Sequence, residues 1–270
     1  MYRQLGNAGH RGVGVLGHDG PAIASSGQLD ALVALERIGT RLKFLPNHEI
    51  YAEGDSTDCW YKVISGTVRV CKLLADGRRH IGEFCFSGDY FGIDSGAERL
   101  YSAEAVDDVI VMRFERKATE RLMDQNAAVA RILRDTVLRD LTNAHGRTLL
   151  LGRMTALERV AIFLLEMFER RDRTKILDLP MSRNDIADYL GLTIETVCRT
   201  LSAFKRAAVI GIPTAHRIEL LDREALEAAC EPDNIDGQLI QVSARQADYG
   251  FDLRFLERGH DARSLGAPSL

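Results

Sequence analysis

The chain has 270 residues, of which 46% are hydrophobic, and a net charge of −4; that is enough apolar material for two cores. An acidic balance argues against a nucleic-acid partner unless the basic residues gather on one face. Five scattered cysteines (Cys59, Cys71, Cys85, Cys198, Cys230) with no CxxC spacing disfavour a metal site or disulfide framework. No apolar run reaches the roughly 18 residues of a membrane helix, and the first residues lack the apolar core of a signal peptide, so a soluble, cytoplasmic protein with no membrane partner is expected.

Residues 1–28 are rich in Gly, include Pro21 and a Ser pair, and show no periodicity, which predicts a disordered extension. Leu29 to Leu42 has apolar spacing that suits a short helix. From Phe44 to Phe114 the pattern changes to short β segments. Tyr61–Ile64 and Thr67–Leu74 flank the turn at Ser65-Gly66, Ala75-Asp76-Gly77-Arg78 reads as a type I′ hairpin turn, and Arg79–Cys85 is its return strand. Val109–Phe114 closes a β-barrel or roll, assigned to residues 29–115.

Glu115 onward is helical. Met123, Ala127, Ala130, Leu133, Val137, Leu141, Ala144, Thr148 and Leu151 recur every three or four residues over about 29 positions. Such a seam suits pairing with a copy of itself through Leu133, Val137, Leu141 and Ala144; packing against the chain's own β domain is the alternative. Residues 116–146 are taken as this dimerisation helix. A second, C-terminal domain is assigned to 147–230 and a loose tail to 231–270. Within the former, Thr155–Met167 is amphipathic, Val209–Pro213 and Arg217–Leu221 suit a small hairpin, and Asp222–Cys230 a closing helix.

Met181 to Arg206 carries the chemistry. Ser182 and Asp185 stand at capping-box spacing, Ile186, Ala187 and Leu190 supply an inner face, Gly191 permits a tight turn, and Thr193 caps a second helix. Val197, Leu201 and Phe204 fall on the inner side of that helix, leaving Glu195, Cys198, Arg199 and Ser202 outward. Arg199 can donate to guanine O6 and N7, and Glu195 can accept from cytosine N4. At i and i+4 the two can also hold each other's rotamers, and a plain surface ion pair is the other account of them. Ser182, Arg183, Thr193 and Thr196 sit near helix N-termini, where hydroxyls, amides and charge grip phosphate. Between Met181 and Arg217 five basic residues face three acidic ones.

These segments resemble the Crp/Fnr superfamily of bacterial transcription regulators, most of all its FixK branch. The resemblance spans about residues 30–230. It is carried by EGD at Glu53–Asp55, ISGTVRV at Ile64–Val70, DGRRHIGEFCFSGDYFG at Asp76–Gly92, ALERVAIFLLE, and the two-helix unit. It implies an α+β protein with a cyclic-nucleotide-binding-like β-roll, a long dimerisation helix and a C-terminal winged helix-turn-helix. It also implies a homodimer acting on double-stranded DNA with bacterial RNA polymerase as partner. The E-T-V-x-R core at Glu195–Arg199 resembles the Fnr and FixK branches, which favour TTGA-type inverted repeats in genes of low-oxygen respiration, denitrification or nitrogen fixation. Those branches commonly place Ser where this chain has Cys198.

Cyclic-nucleotide members carry Gly-Glu and, about ten residues on, Arg-Ser/Thr; here Gly92 precedes Ile93, and Arg99 precedes Leu100, so that pocket is not expected. Residues 1–58 contain no cysteine for an iron–sulfur centre. A regulator needing no cofactor or metal follows, with a nitric-oxide-sensing haem member, using His48 or His80, as the alternative. No phosphate loop, nucleophile elbow or metal-ligand motif supports an enzyme, and no catalytic residue is assigned. Cys198, beside Arg199 on the reading helix, is a redox-switch candidate, since oxidation there would bring negative charge among phosphates; the plainer account is a small residue replacing Ser.

Overall fold

The computed structural model of the protein describes residues 26–170 and 175–230. The expected extension (apart from its last three residues) and the expected tail lie outside them. Helix α1 (Ser26–Arg37) opens the described chain. It stops five residues short of the sequence expectation, the chain leaving it through turn bonds from the Ile38 and Gly39 amides to the Leu35 and Glu36 carbonyls, with Gly39 set where a Cβ would collide with Met112 and Phe114. Thr40–Phe44 is strand β1, paired along its whole length with Val109–Arg113 of the closing strand.

The roll continues with β2 (Glu49–Tyr51), β3 (Cys59–Ser65), β4 (Val68–Leu73), β5 (Arg79–Cys85), β6 (Tyr90–Phe91), β7 (Ser102–Ala105) and β8 (Val109–Glu115). Two antiparallel four-stranded sheets form, ordered β1-β8-β3-β6 and β2-β7-β4-β5. Between them lie Tyr51, Val63, Val68, Phe91, Ala103, Ala105, Val109 and Val111, all buried, as strand alternation requires of the inward face. The β4–β5 turn departs from type I′. Only Gly77 takes positive φ (83°), Gly77 N–H donates to the Leu74 carbonyl, and Leu74 N–H to that of Arg78. Three residues thus form the loop, with Asp76 Oδ1 accepting from Arg78 N–H at 3.1 Å.

The predicted single helix after Glu115 is two: α2 (Arg116–Gln125) and α3 (Ala127–Arg153). Asn126 separates them in extended conformation (φ −140°, ψ 96°), its side chain accepting from the Ala128 and Val129 amides as an N-cap. The 27 residues of α3 span about 40 Å at ~1.5 Å per residue, and the helix runs on through position 146. Trp60 anchors α2, its indole N–H donating to Thr119 Oγ1 at 3.0 Å while its ring stacks on Phe114.

Helix α4 (Ala156–Glu169) starts from a capping box of Thr155 and Glu158. Then come β9 (Ile176–Asp178), α5 (Arg183–Leu190), α6 (Ile194–Arg206), β10 (Ile210–Thr214), β11 (Arg217–Leu220) and α7 (Arg223–Ala228). Strand β9, absent from the sequence expectation, pairs with β11 and makes the small sheet three-stranded, β10-β11-β9. The core of this region includes Phe163, Leu164, Phe168, Ile186, Leu190, Val197 and Phe204. It extends without a break into Cys71, Ile81 and Phe84 of the roll.

Candidate nucleic-acid interface

Helices α5 and α6 meet at the turn the sequence prescribed. Ser182 Oγ accepts from the Asp185 amide at 3.1 Å, and Asp185 Oδ2 accepts from the Ser182 amide at 3.0 Å and its hydroxyl at 2.7 Å. Gly191 adopts φ 63°, ψ 40°, the left-handed conformation that only glycine takes at little cost, and ends α5. Thr193 Oγ1 then accepts from the Thr196 amide at 3.2 Å to start α6. Ile186, Ala187, Leu190, Val197, Leu201 and Phe204 are all buried, so the two helices are held by the faces their spacing predicts.

The outer face of α6 presents Glu195, Cys198, Arg199 and Ser202, all exposed. Cys198 is the one exposed cysteine among five free thiols. Arg199 makes no hydrogen bond or ion pair among the described residues. The expected mutual hold of Glu195 and Arg199 is not made. Glu195 is held below the usual carboxylate range by its own backbone amide and the Thr193 hydroxyl, with Arg199 contributing only at a distance. The four expected phosphate contacts stand at the two helix N-termini. The hydroxyls of Ser182, Thr193 and Thr196 are engaged in the caps themselves. Arg183 is half-buried with Nη1 lacking a hydrogen-bond partner, and burial depresses its guanidinium below the ordinary range, with the Cys198 side chain close enough to oppose this.

The expected α3 seam divides. Leu133 is buried with Ala31, Leu35 and Phe114 in the chain's own core, whereas Val137, Leu141 and Ala144 are exposed. Leu138 and Leu149, which the sequence reading passed over, are exposed beside them.

The roll interior is already filled. Arg99, 2% exposed, donates from Nη1 to Asp94 Oδ2 at 2.7 Å and to the Gly92 carbonyl at 2.6 Å, and from Nη2 to the Cys59 carbonyl. Its guanidinium lies 4.2 Å from the Tyr51 ring centroid, and Tyr51, Tyr61 and Phe91 stack together beneath it. A Cβ on Gly92 would fall 2.7 Å from Arg99 Nη1, which leaves no space between them. His48 Nδ1 lies 3.2 Å from the Leu45 carbonyl at an exposed turn, and His80 is half-buried on β5. Among the described residues no three His, Cys, Asp or Glu side chains converge as a metal site would require.

Two family models match this chain: a cyclic nucleotide-binding domain over residues 41–126 and a Crp-like helix-turn-helix domain over residues 158–229. The nitrogen fixation regulation protein FixK of Azorhizobium caulinodans is 41% identical over 194 residues, covering 70% of this chain and 78% of that protein. The chain belongs to the Crp/Fnr family. The FixK protein of Bradyrhizobium diazoefficiens is 38% identical over 211 residues, 77% of this chain and 89% of its own length. The solved structure of FixK2 from Bradyrhizobium japonicum superposes with a TM-score of 0.69 at 42% identity, covering 72% of this chain and 98% of that one. Membership in the Crp/Fnr family makes the chain a DNA-binding transcription regulator and not an enzyme. Among the described residues no helix is long and apolar enough to cross a membrane.

Sequence reasoning missed the residues that join the Crp/Fnr roll to its reader. Arg79 of β5 donates from Nε to Asp188 Oδ2 at 2.9 Å and from Nη2 to Asp185 Oδ1. Arg69 of β4 bridges Glu104 Oε2 at 2.7 Å, Asn47 Oδ1 at 3.2 Å and Asp185 Oδ1 at 3.4 Å. Burial alone would raise the Asp185 carboxyl; the Ser182 hydroxyl and amide, then Arg69 and Arg79, hold it low. The only sequence signal was a pair of arginines after Gly77, one of which (Arg78) merely closes the turn.

Proposed function

We propose that this chain is a homodimeric, effector-independent transcription activator that binds TTGA-type inverted repeats with bacterial RNA polymerase as its partner. It serves genes of low-oxygen respiration, denitrification or nitrogen fixation, and it is inactivated by oxidation of Cys198. The observation that carries this reading is the outer face of α6, where Glu195, Cys198 and Arg199 stand exposed and Arg199 has no partner among the described residues. Val137, Leu138 and Leu141, exposed on α3, supply the apolar surface by which two copies pair. Two copies related by a two-fold axis place their reading helices about 34–36 Å apart, one turn of the duplex. The engagement of Arg99 by Asp94 supports independence from a cyclic nucleotide. The FixK relatives, named as nitrogen fixation regulators, support the gene class.

The test is operator binding by effector-free protein, with and without peroxide. Tight binding that weakens steeply with salt is expected. Peroxide lowers it, and Cys198→Ser removes that sensitivity; equal inhibition of the Ser variant would sink the switch. Cys198→Asp abolishes binding through charge alone, because it sets a carboxylate against phosphates.

A further inference from the structure

Arg79 and Asp188 connect the roll to the reader, yet neither lies on the exposed face of α6. Three observations define their junction. The guanidinium of Arg79 spans two carboxylates one turn apart on α5, reaching Asp188 Oδ2 at 2.9 Å and also Asp185. Asp185 divides its oxygens, one accepting from Ser182 in the cap of α5 and the other facing Arg69 and Arg79. Around these pairs, Phe84 of β5 packs against Tyr189 of α5 with ring centroids 5.1 Å apart, and Arg147 of α3 lies over the same Tyr189 ring at 5.4 Å.

A bidentate arginine spanning two carboxylates on one helix fixes rotation as well as distance, because the planar fork loses a bond if the helix turns about its axis. The apolar contact fixes depth. The reading face stays uncovered throughout, with Glu195, Cys198 and Arg199 exposed, so the junction orients the reader without masking it.

We infer that Arg79 and Asp188 are positioning residues for DNA recognition: they set the angle of the helix pair on the body, and through it the half-site spacing the protein accepts. This rests on the reading of two copies on an inverted repeat. Inserting two base pairs between half-sites shifts one reader by about 7 Å and rotates it by about 70°, since a turn holds 10–10.5 base pairs. A rigid junction cannot follow that displacement.

The experiment is fluorescence anisotropy with the full chain on duplexes carrying a single TTGA-type half-site, the best-bound inverted repeat, and the same repeat with one or two base pairs inserted. The wild-type chain should lose at least tenfold in affinity on two inserted base pairs. Arg79→Gln and Asp188→Asn should compress that ratio to about threefold while leaving single half-site affinity and the preference for TTGA over scrambled sequence unchanged. Arg79→Lys, which keeps the charge and loses the fork, should fall between. Asp188→Asn spares the Asp185 cap and carries the test if Arg79→Gln does not fold. Variants that keep the wild-type ratio, or that bind the best-spaced site more tightly, would overturn this inference alone. A wild-type chain indifferent to spacing would overturn the paired reading and the inference with it.

Discussion

Arg99 of the roll donates to Asp94 and to two backbone carbonyls while lying over Tyr51, whereas Arg199 of α6 stands in solvent with no partner among the described residues. The two side chains are chemically the same; they differ in whether the chain supplies their anion. A buried guanidinium must be paired inside the protein, since an unpaired buried charge costs several kcal/mol. An exposed one keeps its hydrogen-bonding capacity for an outside acceptor. The roll therefore retains the shape of a binding domain with both terminal nitrogens of Arg99 engaged and only its buried Nε without a partner among the described residues, whereas the Arg199 guanidinium of the reader has no partner there at all. Removing an engaged group should damage folding, and removing an unengaged one should damage binding.

The largest effect expected from that contrast is on Asp185, which is 4% exposed and serves both the α5 cap and the roll arginines. Asp185→Ala should cost about 3–5 kcal/mol of stability, as breaking a buried pair does, visible as a lowered urea midpoint. A cost below about 1 kcal/mol, within the range of ordinary point substitutions, would mean that this carboxylate is not structural. Next is Arg199→Ala, expected to weaken operator binding by about 1–3 kcal/mol and to relax preference at one base pair. Its unfolding midpoint should stay within about 0.5 kcal/mol of the wild type, as for other exposed positions. Unchanged preference between TTGA-type and scrambled sites would break the contrast from the reader's side.

A smaller effect is expected from pH. Burial lifts the Glu166 carboxyl to about 7, with Arg147 and Arg170 opposing, and burial followed by Glu83 and Asp89 lifts Asp140 to about 7. Their folded values exceed the unfolded ones, so the native state holds protons that the unfolded chain releases. Stability then falls as pH rises from about 3.8 for Asp140 and 4.5 for Glu166 up to about 7, and returns on acidification through those windows. Glu166→Gln should flatten that decline, raising the melting temperature at pH 8 by about 2–4 °C, the shift that 1 kcal/mol produces in a protein of this size. An unaltered slope would place the titration elsewhere. The smallest effect is a null one: millimolar cyclic AMP should leave both the melting temperature and operator affinity unchanged. A rise in either would show that Asp94 yields Arg99 to a phosphate.

What the sequence made legible was local. Ser182 with Asp185, Gly191 and Thr193 each act within one turn of helix, and the apolar spacing at Val197, Leu201 and Phe204 needs no distant partner to be read. The break at Asn126 escaped because Met123 and Ala127 keep a helical interval across it, so periodicity continues where the backbone does not. Strand β9 escaped because three residues are too few to show alternation. The turn after Leu74 was located correctly and mistyped, since Asp-Gly serves I′ hairpins and three-residue loops alike. The exposed base-reading candidates were identifiable from helical phase alone. Arg69 and Arg79 were not, because the acceptor they share on α5, Asp185, lies more than a hundred residues away.

The continuous core that runs from Phe163 and Phe168 into Ile81 and Phe84 has a consequence for protein engineering. A cut at the family-model boundary near residue 158 would sever that core, exposing Phe84 on one fragment and the underside of Tyr189 on the other. The reader is therefore a poor cassette for grafting. A chimaera that borrows this chain's operator preference should carry the β4–β5 hairpin along with α3 to α7, and a donor roll without an arginine at the place of Arg79 would deliver the right letters at the wrong pitch.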